Sequence, residues 1–326
     1  MRRFIHSTPI ALTIATALAP VAPAHAQNYP ARPIRWIVPV PAGATTDIVT
    51  RLVAQKMGEA WKQQVVVDNR AGGAMIIGTD TVAKATPDGY TIGTLLTPTI
   101  VNPFVLKNLP YDTLKDLTPV SLMVMVPGVM TMFPGVPANN LKEVIALAKS
   151  KPGALNYGSP GPLTSGHLSM EMLKITAGIN MTHIPYKGGS GQMVSDLLAG
   201  QVQLESMGLP PAMPYVKSGR LRVIGVTSLK RSPLLPEAPT VAESGLPGYE
   251  VNSWYGMFAP PAVSKEIIAK INADIVALLG GTDIKERLAS LGAEPQPMTP
   301  DEFGRFVRED IAKWAKVVKE SGAKID

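Results

Sequence analysis

Two periods of apolar spacing alternate along this chain. Residues 34–40 form a nearly continuous apolar run, and 48–61 carry apolar residues at helical spacing, so a strand followed by a helix is predicted. The same succession repeats. Strands are predicted at 65–68, 90–96, 155–158, 181–184, 202–204 and 223–227, and helices at 77–85, 168–177 and 192–199. Around Pro127 the pattern reads as two strands, 120–126 and 128–133. A helix over "LKEVIALAKSKPG" stops at Pro152-Gly153. Residues 249–260 read as an extended return segment, and helices dominate from 265 onward. No element is assigned to 205–222. Short strands alternating with helices predict an α/β fold with mostly parallel sheets. Two such blocks, a return strand and terminal helices predict two lobes joined by two crossings. Loops and helix N-termini then converge on a cleft between the lobes. The expected division is 27–127 plus 254–326 for the first lobe and 128–253 for the second.

The N-terminus carries a different pattern. Arg2-Arg3, a short apolar run over 10–19 and the small-x-small site Ala24-His25-Ala26 form a cleavable secretory signal over 1–26, cut before Gln27. The apolar run is too short to span a bilayer, and Pro20 and Pro23 argue against a buried helix. A soluble, exported, monomeric protein is expected, most simply in a bacterial periplasm.

Composition narrows the function. The 326 residues are 45% hydrophobic and 17% charged, a globular balance. Net charge is +6, of which Arg2 and Arg3 supply +2, leaving +4 on the mature chain. Basic residues are scattered and aromatics are few, which disfavours nucleic-acid binding. The absence of Cys excludes disulfides, a lipidated thiol and thiolate metal sites. After loss of His6 and His25 only His167 and His183 remain, and both read as structural. No metal or cofactor is expected.

The candidate chemistry lies in the turns between strands and helices. In "PVPAGATTDIV" the turn holds Gly43, Ala44, Thr45 and Thr46 ahead of a helix, with Asp47 placed to cap or orient it. Free N–H groups and the dipole at a helix N-terminus favour an anion. No Gly-Lys-Ser/Thr is present, which disfavours a Walker-type phosphate loop. The layout recurs at Gly72-Gly73-Ala74, at Ser159-Pro160-Gly161 with Thr164 and Ser165, and at Lys187-Gly188-Gly189-Ser190. Four donor-rich turns facing one cleft suit a carboxylate. A hydrolase using Ser165 or Thr164 with His167 lacks the Gly-x-Ser-x-Gly elbow and is the remote alternative.

The chain resembles the solute-binding proteins of tripartite tricarboxylate transporters, the Bordetella uptake gene (Bug) type. The landmarks are "YPARPIRWIVPVPAG", "VVVDNRAG", "ATPDGYT", "NLPYDTLKDLTPVSL", "HIPYKGG", "DLLAGQV", "LRVIGVTSLKRSPLLPEAPTVAESGLPGYEVNSWYGMFAP" and "IAKWAKVVKESG". They span essentially the whole mature chain. The resemblance implies a two-lobed, type II-like periplasmic binding protein, with a carboxylate held in the cleft by backbone amides, hydroxyls and ordered water. It implies delivery to membrane transporter subunits; a periplasmic sensor feeding a signalling receptor would use the same pocket. The implied ligand-binding residues are Gly43, Ala44, Thr45, Thr46, Ala74, Met75, Ile76, Thr97, Ser159, Gly161, Thr164, Ser165, Tyr186, Lys187, Gly188, Met207 and Gly208. Departures matter here. Ala74-Met75-Ile76 stands where a Gly-Gly-Asn run is usual. Ser206-Met207-Gly208 stands where Phe-Asp-Asn is common. Both changes favour a ligand with an apolar body, an aromatic mono- or dicarboxylate such as terephthalate. Trp254 is a candidate stacking wall, with packing inside the hinge as its plainer role.

Overall fold

The computed structural model describes residues 29–186 and 190–322; residues 1–28, 187–189 and 323–326 lie outside them. The order of elements is β1 (Ile34–Val38), α1 (Thr45–Trp61), β2 (Val65–Asn69), α2 (Ile76–Ala83), β3 (Thr91–Leu95), α3 (Thr97–Val101), β4 (Thr118–Met132), α4 (Leu141–Ser150), β5 (Asn156–Ser159), α5 (Ser165–Ala177), β6 (Thr182–Pro185), α6 (Ser190–Leu198), β7 (Leu204–Gly208), α7 (Leu209–Lys217), β8 (Arg222–Val226), β9 (Asn252–Ala259), α8 (Lys265–Leu279), α9 (Thr282–Ser290), β10 (Glu294–Pro295) and α10 (Pro300–Ser321). This is a mixed α/β fold. The strands run β2-β1-β3-β9-β4-β7-β5-β6, with β8 and β10 also paired to β4. β1, β2 and β3 are parallel, as are β5, β6 and β7; β4 and β9 run against their neighbours.

β4 joins the two blocks. Its first part, through Pro127, pairs with β9; from Gly128 it pairs with β7 and β8. The two strands expected around Pro127 are therefore one. Proline lacks only its N–H, and here the ladder continues on both sides of it. The chain returns where Val251 donates to the Thr227 carbonyl, just before β9. α10 packs back across the sheet: the Trp254 and Trp314 indoles both donate to buried Asp310, at 2.8 and 3.0 Å.

Two further expectations are corrected. The strand placed at 202–204 lies at β7, so Glu205, Ser206, Met207 and Gly208 are strand residues. The unassigned stretch contains α7, despite three prolines. Pro210 and Pro211 sit in its first turn, where an N–H has no helical partner, so only Pro214 removes a bond.

Candidate functional site

A cavity of about 660 Å³ opens where the two blocks meet. Its donors come from helix starts. α1 begins after Ala44, whose side chain cannot cap, and the N–H groups of Thr45 and Thr46 have no partner among the described residues. Gly43 takes a left-handed φ of 85°, which turns the strand exit into the helix. Asp47, almost fully buried, fixes that turn. It accepts from the Gly43 N–H at 2.9 Å, from Asn69 at 2.9 Å and from Arg51 at 3.0 Å. Burial pushes the Asp47 carboxyl up, but these bonds and the Arg51 charge outweigh it and hold it below 3.8. Asp47 thus orients the loop through Gly43, Asn69 and Arg51 and takes no bond from the Thr45 or Thr46 N–H.

α5 supplies the facing start. Thr164 caps it, and the Ser165 and Gly166 N–H groups are unpartnered among the described residues. Gly166 has to be glycine, because a Cβ there would lie 2.5 Å from the Ser206 carbonyl oxygen. The turn before α5 is pinned by His167, whose Nδ1 accepts from the Leu163 N–H at 3.0 Å. His167 stacks on His183 with centroids 4.0 Å apart, and His183 Nε2 meets the Ser159 hydroxyl at 2.6 Å. Burial, with His183 and Lys174 adding to it, lowers His167 to about 3; burial lowers His183 to about 4. Both rings are neutral near pH 7.

Ten expected residues line the cavity: Gly43, Ala44, Thr45, Thr46, Met75, Thr97, Thr164, Ser165, Met207 and Gly208. Five do not. Ala74 is exposed, and its carbonyl accepts from Asn102. Ile76 packs on the larger core. Ser159 is buried beneath the turn, with its hydroxyl also donating to the Gly161 carbonyl, which Thr164 shares. The Tyr186 phenol donates to Asp196 at 2.8 Å. Lys187 and Gly188 lie outside the described residues. Sequence reasoning did not single out Ser253 and Tyr255 on β9, Ser206 on β7, or Pro210 and Pro211 on α7, all of which line the cavity. Trp254 points to the other side of β9, toward Asp310, and Tyr255 is the aromatic on the cavity side. Alternation along a strand would have selected 253 and 255 together once one was known to face the cleft.

The walls between the donors are apolar: Met75 and Leu96 on one side, Met193, Val194, Met207 and Pro211 on the other. No charged side chain lines the cavity among the described residues. The arrangement can hold an anionic group by neutral N–H and O–H donors and cover an apolar body. No hydrogen bond joins Ser165 or the Thr164 hydroxyl to a His167 ring nitrogen, so the hydrolase dyad does not form.

Fold and cavity together define an α/β binding protein with its site between two sheet blocks. A family model described as tripartite tricarboxylate transporter family receptor matches residues 49–323, and the chain belongs to that family. Its members are transporter receptors, not enzymes. The chain is 37% identical over 318 residues to Protein BugT of Bordetella pertussis, with 97% of each chain covered. It is similar to the solved structure of R. palustris Rpa4515 with adipate: TM-score 0.80, 36% identity, 91% of this chain and 100% of that one covered. It is also similar to MatC from Rhodopseudomonas palustris with bound malate: TM-score 0.76, 30% identity, with 89% and 100% covered.

Proposed function

We propose that this protein is a periplasmic receptor that captures an aromatic mono- or dicarboxylate of the terephthalate kind and presents it to the membrane subunits of a tripartite tricarboxylate-type transporter. The observation that carries the reading is a cavity with unpartnered helix-start donors at α1 and α5 and apolar walls between them. Two relatives are described with adipate and with malate, which fits a carboxylate. The leader over 1–26 fits export, and no helix among the described residues is long and apolar enough to cross a membrane. The lobes are 27–127 plus 254–326 and 128–253, and closure occurs about the β4 and 251–252 crossings. A carboxylate meets Gly43 to Thr46 and the Thr164–Ser165 turn; the ring lies between Met75, Met207 and Tyr255.

Burying about 100 Å² of ring at about 25 cal/mol per Å² is worth roughly 2.5 kcal/mol, near a factor of 70 in affinity. Calorimetry with terephthalate, protocatechuate, citrate and aspartate tests this on the wild type and on Met207→Asp. The aromatic acids should bind tighter and lose most in the variant, where a carboxylate would face the ring unpaired. Tighter binding of citrate or aspartate to the wild type would refute the aromatic reading.

A further inference from the structure

The backbone between β2 and α2 is strained where it meets the cavity. Gly72, Gly73, Ala74 and Met75 take φ values of 125°, 54°, 53° and 74° in succession. Glycine reaches this region freely, but a residue with a Cβ crowds the neighbouring carbonyl, so Ala74 and Met75 are held there at a cost. Two fully buried side chains hold them. Asn102, which follows the last residue of α3, donates from Nδ2 to the Ala74 carbonyl at 2.8 Å. Thr79 of α2 donates from Oγ1 to the Met75 carbonyl at 2.9 Å. The Thr79 bond is local, four residues apart, whereas the Asn102 bond spans 28 residues. Asn102 is itself kept at a cost, because its Oδ1 is buried without a hydrogen-bond partner. The Ala74 carbonyl can only accept, so the amide nitrogen must face it and the oxygen is the atom left over. Packing alone would be better served by an apolar residue at this point.

The strained turn ends on Met75, which lines the cavity and packs against the core that β1 and α1 share. α3 begins with Thr97, which lines the same cavity. The Asn102 side chain therefore ties two parts of the cavity wall together without lining it. We propose that Asn102 is a positioning residue for ligand recognition: its bond to Ala74 keeps the turn left-handed and so holds the Met75 thioether against the apolar body of the ligand. Methionine is unbranched, with three rotatable bonds, so the fixed direction of its Cα–Cβ bond is what makes its place in the wall definite. Without the Asn102 bond, Ala74 and Met75 relax toward ordinary negative φ, and the Met75 side chain leaves the wall.

The inference rests on the reading of the cavity as a carboxylate site with Met75 over the ligand's apolar body, and the test separates the two. Calorimetry with terephthalate, adipate and malate is run on the wild type, Asn102→Ala, Met75→Ala and the double variant. Asn102→Ala should bind the acid that the wild type holds tightest about tenfold more weakly, the size of one buried hydrogen bond. Met75→Ala should show a similar loss. The double variant should be no weaker than Met75→Ala alone, because Asn102 acts through Met75. Ala74→Gly added to Asn102→Ala should recover affinity, since glycine takes a φ of 53° without a clash. NMR of the ligand-free protein with labelled methionine methyls gives a readout that a merely structural role would not move. The Met75 resonance, assigned by its absence in Met75→Ala, should shift in Asn102→Ala and return with Ala74→Gly. Asn102→Ser, too short to reach the carbonyl, replaces Asn102→Ala if the latter does not fold, with the same results expected. Unchanged affinity, losses that add in the double variant, no recovery with Ala74→Gly or an unmoved Met75 resonance overturns this proposal, whatever the variants do to the melting temperature. A wild type that prefers malate overturns the aromatic reading, and the same cycle, run with malate, still decides this one. Failure of all three acids to bind overturns both.

Discussion

Glu205 offers the sharpest test of the packing described above. It lies on β7, in register with Thr131 of β4 and Gly158 of β5, and is fully buried. Neither carboxyl oxygen has a hydrogen-bond partner among the described residues. Desolvation pushes its pKa from 4.5 up to about 8; Thr131 tempers the shift, although its hydroxyl is not in hydrogen-bonding geometry with the carboxyl. The native protein therefore keeps this proton up to about pH 8, while the unfolded chain releases it near 4.5. Between those values the native state binds more protons, so stability falls as pH rises. One pH unit is worth about 1.4 kcal/mol, so about 4–5 kcal/mol is lost by pH 8. Glu205→Gln keeps the shape and removes the titration. At pH 5 the two proteins should have similar stability. At pH 8 the variant should be the more stable by several kcal/mol, a melting difference on the order of 10 °C. Thermal and urea unfolding from pH 5 to 8.5 measure this. Parallel stability curves for the two proteins would refute the assignment of a protonated, unpartnered carboxyl.

Asp47→Ala removes the hydrogen bonds of three partners, Gly43, Arg51 and Asn69, to a buried carboxylate and should cost about 2–3 kcal/mol in urea unfolding while weakening ligand binding. Because the Asp47 carboxyl is held below 3.8, its contribution is complete above that pH, and the difference between variant and wild type should shrink as pH falls further. His167 and His183 should show neutral imidazole nitrogen shifts by NMR from pH 8 down to 5, since both titrate at about 3 and 4. Saturating ligand, about 100-fold above Kd, should add roughly 2.7 kcal/mol, and small-angle scattering should show a smaller radius; no contraction with a bound ligand would count against closure. Mass spectrometry of protein recovered from the periplasm should find a chain beginning near Gln27, and an uncleaved leader would refute the signal reading.

Much of the fold was legible because its strands are short, apolar and bounded by turn residues. β1, β3, β5 and the helices α4 and α5 follow directly from periodicity, with helix starts displaced by up to three residues. The displacement has a physical cause: Thr45, Thr46 and Ser165 read as turn residues by type, yet they form the first helical turn because their N–H groups need no helical partner there. Elements that depend on tertiary pairing were harder to see. β7 contains Glu205 and Gly208, poor strand formers held by β4 and β5, and α7 is masked by its prolines. The candidate site divides in the same way. Gly43 to Thr46 and Thr164–Ser165 announce themselves as local motifs. Ser206, Ser253 and Tyr255 carry no local signal, because what brings them to the cavity is the pairing of β4 with β7 and β9. Ser159 illustrates the converse: it has the right local setting, but its hydroxyl is committed to His183 and the Gly161 carbonyl.

The buried titratable groups act in opposite directions, and together they locate a stability optimum. Glu205 is held protonated by burial, so it lowers stability with rising pH between 4.5 and about 8. His167 and His183 are held neutral by burial, so the unfolded chain takes up protons below 6.5 that the native rings refuse. Each histidine therefore lowers stability by about 1.4 kcal/mol per pH unit as pH falls from 6.5 toward 4. Between 4.5 and 6.5 the two rings outweigh the one carboxyl, and stability rises with pH; from 6.5 to 8 the carboxyl acts alone, and stability falls. The wild type should be most stable near pH 6.5. Glu205→Gln should move the optimum upward by removing the alkaline limb. The two limbs meet on one piece of the fold, since His183 pairs with Tyr157 on β5 and Glu205 pairs with Gly158 on the same strand. That strand leads into the turn that presents Thr164 and Ser165 to the cavity, so a change of charge on either side of it is positioned to alter the shape of the site.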